Sequence, residues 1–187
     1  MIPLKKIQKW MKENNKDIFL INRTDEFLNE YIAKYAERLS WISNFSGSAG
    51  RAIIEQHKAY IFVDGRYTNQ ANEEVDINLF QIKHLQSYWL HLKEYKLQNR
   101  ILSLDPLLHS VKEIEKMQIL FDGSQVKLFF LDKNPIDTLW VDQPLRPQSK
   151  AFIHQEKFSG ENSINKINRI EKILKTKFID FYLLSSL

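Results

Sequence analysis

The chain has 187 residues, of which 43% are hydrophobic and 12% aromatic, with only five glycines and five prolines. This composition supplies enough apolar side chains to bury a core, which excludes an intrinsically disordered chain. Lys and Arg outnumber Asp and Glu by 27 to 23, but no basic run is longer than two residues, so we expect no nucleic-acid partner. The absence of cysteine excludes disulfides, thiolate metal sites and a cysteine nucleophile.

The N-terminal segment is predicted to form an amphipathic helix. Its apolar residues share one helical face, with lysines opposite: Leu4, Ile7, Trp10 and Met11. The same lysines interrupt what would have to be the apolar centre of a secretory signal, so we expect none. No apolar stretch approaches the ~18 residues of a membrane span. We therefore expect a cytoplasmic protein with no membrane partner.

The next part of the chain alternates predicted strands and helices. The predicted strands are 18–21, 52–54, 59–63, 77–82, 100–104 and 126–131. The predicted helices are 36–42, 68–75, 87–95 and one that carries Val111, Ile114 and Met117 on a single face. Ser110 and Glu113 form a capping box at the start of that last helix, and 136–141 is a final short element. This alternation predicts an α/β domain with a mixed β-sheet flanked by helices.

We expect the first domain to cover residues 1–141. The amino-acid composition changes after it. Residues 142–158 begin with a proline-containing, polar stretch that is typical of a linker. Residues 159–187 predict a long amphipathic helix, and then a strand over 178–184. The apolar face of this helix comprises Ile164, Ile167, Ile170, Ile173 and Leu174. One helix and one strand cannot close a core, so we expect 159–187 to be the incomplete start of a second, similar domain.

Histidines and serines give no catalytic pattern. Of the five histidines only His84 and His91 lie near each other, and no HExxH is present, so we expect ordinary histidines and no metal site. Ser48 lies in Ser-Gly-Ser-Ala-Gly, which lacks the first glycine of a nucleophile elbow. We interpret Gly47, Ser48 and Gly50 as a tight turn that lets the backbone pass close to another element.

A second turn, Asp64-Gly65-Arg66-Tyr67, follows a predicted strand. A forked cation and a phenol at a strand end suit an interface or the binding of a carboxylate. The alternative is a local salt bridge between Arg66 and Asp64. The sequence leaves these two interpretations open.

Six segments, in order along the chain, resemble the N-terminal domain of Xaa-Pro aminopeptidases, especially the long three-domain form. Asp25 and Glu30-Tyr31 fit the family's Asp-x-His-x-x-Glu-Tyr segment. The other five segments are 36–50 (ending in Phe-Ser-Gly-Ser-Ala-Gly), 62–67 (Phe-Val-Asp-Gly-Arg-Tyr), 104–109 (Leu-Asp-Pro-Leu-Leu-His), 134–147 (Asn-Pro-Ile-Asp to Leu-Arg-Pro) and 158–161 (Phe-Ser-Gly-Glu). Two residues depart from the pattern: Phe27 replaces the usual His, and Asn44 replaces a Gly.

The resemblance implies a creatinase-type N-terminal domain of an enzyme that releases an N-terminal residue preceding proline. In that family two metal ions, usually manganese, are held by Asp, His and Glu ligands of a C-terminal "pita-bread" domain, which we expect to lie beyond Leu187. We therefore expect a truncated chain that is inactive alone and holds no cofactor. Its expected partners are its own catalytic domain, a second subunit in a homodimer, and a peptide with proline in second position.

The resemblance also implies a location for the two turns. We expect Asp64, Arg66, Tyr67, Gly47, Ser48 and Gly50 at a substrate-access surface or a subunit interface. The alternative is a stand-alone, non-enzymatic interaction module that has lost its peptidase domain.

Overall fold

A computed structural model describes residues 2–184. Within that range, one six-stranded sheet comprises β1 (Ile18–Asn22), β2 (Gly50–Glu55), β3 (Ala59–Val63), β4 (Gln81–His84), β5 (Ile101–Leu104) and β6 (Lys127–Phe130). The helices are α1 (Pro3–Glu13), α2 (Arg38–Ser43), α3 (Thr68–Glu74), α4 (Tyr88–Glu94), α5 (Val111–Phe121), α6 (Pro135–Leu139), α7 (Glu156–Ser159) and α8 (Ser163–Thr176).

The sheet has the strand order β4-β3-β2-β1-β5-β6. The pairs β1–β2 and β2–β3 are antiparallel, and the other pairs are parallel. The predicted hairpin between 52–54 and 59–63 is present as β2 and β3. The predicted mixed sheet flanked by helices is therefore confirmed.

Successive residues of each central strand face opposite sides of the sheet, as the period of two requires. Phe19 and Ile21 of β1 belong to a buried cluster with α1, α2 and α6. Ile18 and Leu20 belong to a second buried cluster with α4 and α5. Because β1 is buried on both faces, all five of its residues are inaccessible to solvent. The described domain thus has three layers, with the sheet between two layers of helices.

The two departures from the family pattern are structurally accommodated. Asn44 ends α2 with a φ of +64°, in the left-handed region. Among residues other than glycine, Asn tolerates this conformation better than most. Phe27 is exposed, and the loop around it is ordered by Asp25 instead. The Asp25 carboxylate accepts hydrogen bonds from the backbone N–H groups of Phe27 and Asn29, both at 3.0 Å.

Two strand predictions were wrong. Residues 77–80 do not belong to a strand, because Asp76 folds them into a turn in which its carboxylate accepts the N–H of Asn78 at 2.9 Å. The strand there is β4, which starts at Gln81. Residues 178–184 are assigned no strand in the described chain. A strand is defined by hydrogen bonds to a neighbour, so an apolar segment alone does not create one.

The capping box of α5 is confirmed: the Ser110 hydroxyl accepts the N–H of Glu113, and the Glu113 carboxylate accepts the N–H of Ser110. The prediction of a single buried face on α5 was only partly right. Met117 is buried and Ile114 packs against the second cluster, whereas Val111 is 76% exposed.

The chain divides into two compact units, unit 1 over Met1–Pro147 and unit 2 over Gln148–Leu187. The first residues of the predicted linker are bonded within unit 1. Gln143 donates a hydrogen bond to the Tyr35 carbonyl at 2.8 Å, and Arg146 forms an ion pair with Glu26. Unit 2 contains α7 and α8. No helix in residues 2–184 has the length and apolar character to cross a membrane.

Candidate functional site

The turn after β3 is organised by Asp64. Its carboxylate accepts the N–H of Arg66 at 3.1 Å, which caps a 3₁₀ turn over Gly65–Tyr67. The same oxygen, Oδ1, accepts Arg66 Nε at 2.8 Å. The local salt bridge that the sequence left as an alternative is therefore formed. It occupies only one edge of the guanidinium, and the Arg66 side chain is 68% exposed.

The glycine turn packs on an aromatic ring. A Cβ atom added to Gly47 would overlap the Phe45 ring, and one added to Gly50 would lie 2.9 Å from Phe45 Cε1 and 3.1 Å from Leu39 Cδ2. Neither glycine is required for a positive φ. Glycine is needed at both positions because the backbone runs directly over the Phe45 ring. This is the close approach that the sequence predicted.

The two turns meet at Ser48. Its hydroxyl lies 2.8 Å from the Tyr67 hydroxyl and 3.3 Å from Oε1 of Glu30. The Tyr67 ring also makes an edge-to-face contact with Phe45, with 5.9 Å between ring centroids. The structure thus places the two predicted turns side by side, with Gly47 and Gly50 buried beneath Ser48. We call this region the Ser48–Tyr67 surface: Gly47, Ser48, Gly50, Asp64, Arg66 and Tyr67.

Local hydrogen bonds perturb the pKa values on this surface. The side chain and backbone of Ser48 favour the phenolate and lower the pKa of Tyr67 below its ordinary value. The side chain and then the backbone N–H of Arg66 lower the pKa of Asp64. Both pKa values are therefore lowered, and the Arg66 cation contributes to lowering each of them.

A cleft of about 320 Å³ adjoins Ser48 and Gly50 at this end of the sheet. Arg51 and Glu113 line it and form an ion pair, and Asn22 of β1 lies directly opposite Arg51 of β2. Sequence reasoning missed this part. Glu113 was recognised only as a helix cap, and no local spacing indicates that a residue 62 positions after Arg51 would pair with it.

Of the two neighbouring histidines, His84 borders this surface, since it pairs with Val63 and its ring lies against Gly65, whereas His91 lies on α4. His84 ends β4, as the sequence predicted, and its ring accepts the N–H of Gln86 at 3.3 Å. His91 is buried on α4, next to Tyr60 and Tyr95. No cluster of three or more His, Asp or Glu side chains in residues 2–184 could hold a metal ion. The donor set of the described residues therefore does not fit a di-metal centre.

Residues 3–133 match the Creatinase/Prolidase N-terminal domain family. A protein named "Probable Xaa-Pro aminopeptidase P", from Paracoccidioides brasiliensis, is 33% identical over 179 residues. The match covers 93% of this chain but only 29% of that protein. The chain therefore spans less than a third of this relative's length.

Solved structures show the same fold. The X-prolyl aminopeptidase from Caenorhabditis elegans, described as a cytosolic enzyme with a di-nuclear active site, superposes with a TM-score of 0.76 at 22% identity, covering 95% of this chain and 31% of that one. The N-terminal domain of the cytoplasmic peptidase PepQ from Mycobacterium tuberculosis gives a TM-score of 0.58 at 17% identity, covering 73% and 97%. The family match extends over more than half of the sequence, and the chain belongs to the Creatinase/Prolidase N-terminal domain family.

Proposed function

We propose that this chain is the N-terminal, non-catalytic part of a cytoplasmic Xaa-Pro metalloaminopeptidase. The observation that carries the proposal is the 33% identity, over nearly the whole chain, to a protein of that name. The hydrolysis of the bond before proline then belongs to a separate catalytic domain. Two divalent metal ions, expected to be manganese, would be held there and would supply the activated water.

The domain organisation is part of this proposal. Residues 1–141 form the creatinase-type domain, 142–158 the linker, and 159–187 the start of a second, similar domain. The partners are the catalytic domain, a second subunit, and a peptide with proline in second position. The chain alone should not hydrolyse such a peptide, and turnover by the purified 187-residue chain would contradict that.

We assign substrate access and subunit contact to the Ser48–Tyr67 surface. Its exposed Arg66 gives only Nε to Asp64 among the described residues, so the two terminal nitrogens remain open. These two donors can bind a carboxylate or a row of carbonyl oxygens in a bidentate manner. Tyr67 adds a phenol beside them. Such a surface suits either the acidic groups of a catalytic domain or those of a peptide.

The test uses a chimera in which this chain replaces the matching segment of the Paracoccidioides brasiliensis relative. Arg66→Ala should raise KM for Xaa-Pro peptides or the dimer dissociation constant by about tenfold or more, since a charged hydrogen bond contributes about 1.5–3 kcal/mol. Arg66→Lys should recover part of the loss. Lys58, exposed in the loop at the opposite end of β3, provides the control variant Lys58→Ala.

Unchanged turnover and unchanged dimer dissociation in the Arg66→Ala chimera would remove Arg66 from this role. A chimera that shows no peptidase activity despite a folded N-terminal domain would favour the alternative, a stand-alone interaction module.

A further inference from the structure

Glu74, the last residue of α3, reaches out of its helix to the glycine turn. Its Oε2 accepts the backbone N–H of Ser46 at 2.7 Å, and its Oε1 accepts the Ser46 hydroxyl at 2.7 Å. Gln70 completes the arrangement by donating to the Ser46 hydroxyl at 2.8 Å and to Glu74 Oε1 at 3.0 Å. One carboxylate therefore holds both the main chain and the side chain of a residue 28 positions earlier.

These bonds are strongest when the carboxylate is ionised. Desolvation opposes ionisation of Glu74, but hydrogen bonds from the Ser46 backbone, the Ser46 hydroxyl and Gln70 outweigh it and lower the pKa of Glu74. Hydrogen bonds to an ionised acceptor are shorter and stronger than neutral ones. The contact is therefore maintained at neutral pH.

Glu74 gains nothing from its own helix at this position. A negative charge in the last turn lies near the helix's unpaired carbonyl groups, where acidic residues are unfavourable. Glu73 also lies in the last turn and is exposed, and its side chain forms no hydrogen bond or ion pair with any described residue. The difference between the two neighbours is the tertiary contact with Ser46.

The turn is thus held at two points. Phe45 supports Gly47 and Gly50 from below, and Glu74 anchors Ser46 at the entrance. Between these supports lies Ser48, whose hydroxyl must stay 2.8 Å from Tyr67. The glycines themselves have no side chains with which to fix this geometry.

We propose that Glu74 is a positioning residue, which fixes the glycine turn so that Ser48 is held against Tyr67 on the candidate interaction surface. Its functional meaning rests on the function proposed for that surface. The structural claim stands separately, because Glu74 lies outside the surface and, among the described residues, its carboxylate bonds to Ser46 and Gln70.

The test follows the ionisation of Tyr67 by NMR, with the tyrosine ring-carbon signals recorded against pH and Tyr67→Phe used for assignment. Glu74→Ala should raise the pKa of Tyr67 towards its ordinary value, because Ser48 no longer stabilises the phenolate. Removal of a nearby negative charge would lower a phenol's pKa, so a rise reports the lost hydrogen bond rather than the lost charge. Glu74→Gln, which keeps one acceptor oxygen, should give a smaller rise.

Glu73→Ala is the matched control and should leave the titration of Tyr67 unchanged. An unaltered Tyr67 titration in Glu74→Ala, with the variant folded by circular dichroism, would overturn the proposal. The chimeric enzyme separates the two claims. If Glu74→Ala shifts Tyr67 but leaves KM, kcat and dimer dissociation unchanged, the positioning role holds and the contact of Ser48 with Tyr67 has no part in the function. Failure of the function proposed for the surface is read separately, from Arg66→Ala in the same chimera.

Discussion

Helices α1 and α8 have the same pattern of apolar residues but opposite environments. In α1 the apolar face is buried against the sheet, and Ile7 is 0% exposed. In α8, within unit 2, the corresponding face is open among the described residues, and Ile167 is 56% exposed. Periodicity therefore specifies which face of a helix is apolar. It does not specify whether another element covers that face.

Ion pairs differ between the units in the same way. Arg38 of α2 forms a bidentate pair with Asp137 of α6 at 2.7 and 2.9 Å, and its side chain is only 8% exposed. Arg169 of α8 pairs with Glu161 at 2.8 Å but is 62% exposed. Similar distances thus carry different energies, because water screens the second pair.

The largest expected difference in the free energy of unfolding is between alanine substitutions of two isoleucines, Ile7 of α1 and Ile167 of α8. Ile7→Ala should lower the free energy of unfolding of unit 1 by about 2–5 kcal/mol, because it leaves a cavity in a packed core. Ile167→Ala should change it by less than about 0.5 kcal/mol. All four tryptophans lie in unit 1, so urea unfolding followed by tryptophan fluorescence reports that unit alone. Equal losses for the two variants would break the comparison.

The ion pairs should give the next largest difference. Asp137→Ala leaves the Arg38 cation buried without its acceptor and should lower the stability of unit 1 by about 2–3 kcal/mol. The loss is not larger because the Asp137 side chain is itself partly exposed. Glu161→Ala should cost about 0–1 kcal/mol. The same urea titration checks both, with Asp137→Asn as a variant that keeps the side-chain shape. A neutral Asp137→Ala would mean that the buried pair contributes no net stability.

Helix caps should give a smaller effect. Ser110→Ala removes one half of the α5 capping box and should lower the stability of unit 1 by about 1 kcal/mol. Asn162 caps α8 by accepting the N–H of Asn165 at 2.9 Å. Asn162→Ala should reduce the helical signal in far-ultraviolet circular dichroism while leaving the fluorescence transition unmoved. A shift of that transition would show that the two units unfold together.

The mildest test changes only the pH. Burial lowers the pKa of both His91 and His109 below the ordinary 6.5. The nearby Lys83 lowers the pKa of His91 further, and Glu94 opposes this shift. The unfolded chain therefore binds more protons than unit 1 as the pH falls below about 6.5, and the stability of unit 1 decreases in that direction. The variant His91→Gln/His109→Gln should have a flatter dependence. An identical slope in this variant would assign the effect to other groups.

Much of the sheet could be predicted because its strands are short, apolar and separated by turn residues. The hairpin β2–β3, the helix α5 with its cap, and the strands β1 and β5 all follow from local patterns. The prediction failed over 77–80, where apolar alternation is genuine but the Asp76 side chain stabilises a turn instead. It failed over 178–184 because no neighbouring strand pairs with that segment within residues 2–184.

The candidate site shows the same limit. Each of the two turns could be recognised from its glycines, and the salt bridge from Arg66 to Asp64 spans only two residues. The contact of Ser48 with Tyr67 joins residues 19 apart, and that of Glu74 with Ser46 joins residues 28 apart. Neither pair has a spacing that any regular element would bring together, so neither contact could be predicted from local patterns.

The amino-acid sequence alone determined the family, the mixed α/β architecture and the positions of the two turns, because these depend on local composition and on ordered motifs. The tertiary structure decided which apolar faces are covered and which polar groups meet. Burial and long-range hydrogen bonds depend on where the sheet places distant residues, and that placement is a property of the whole packed chain.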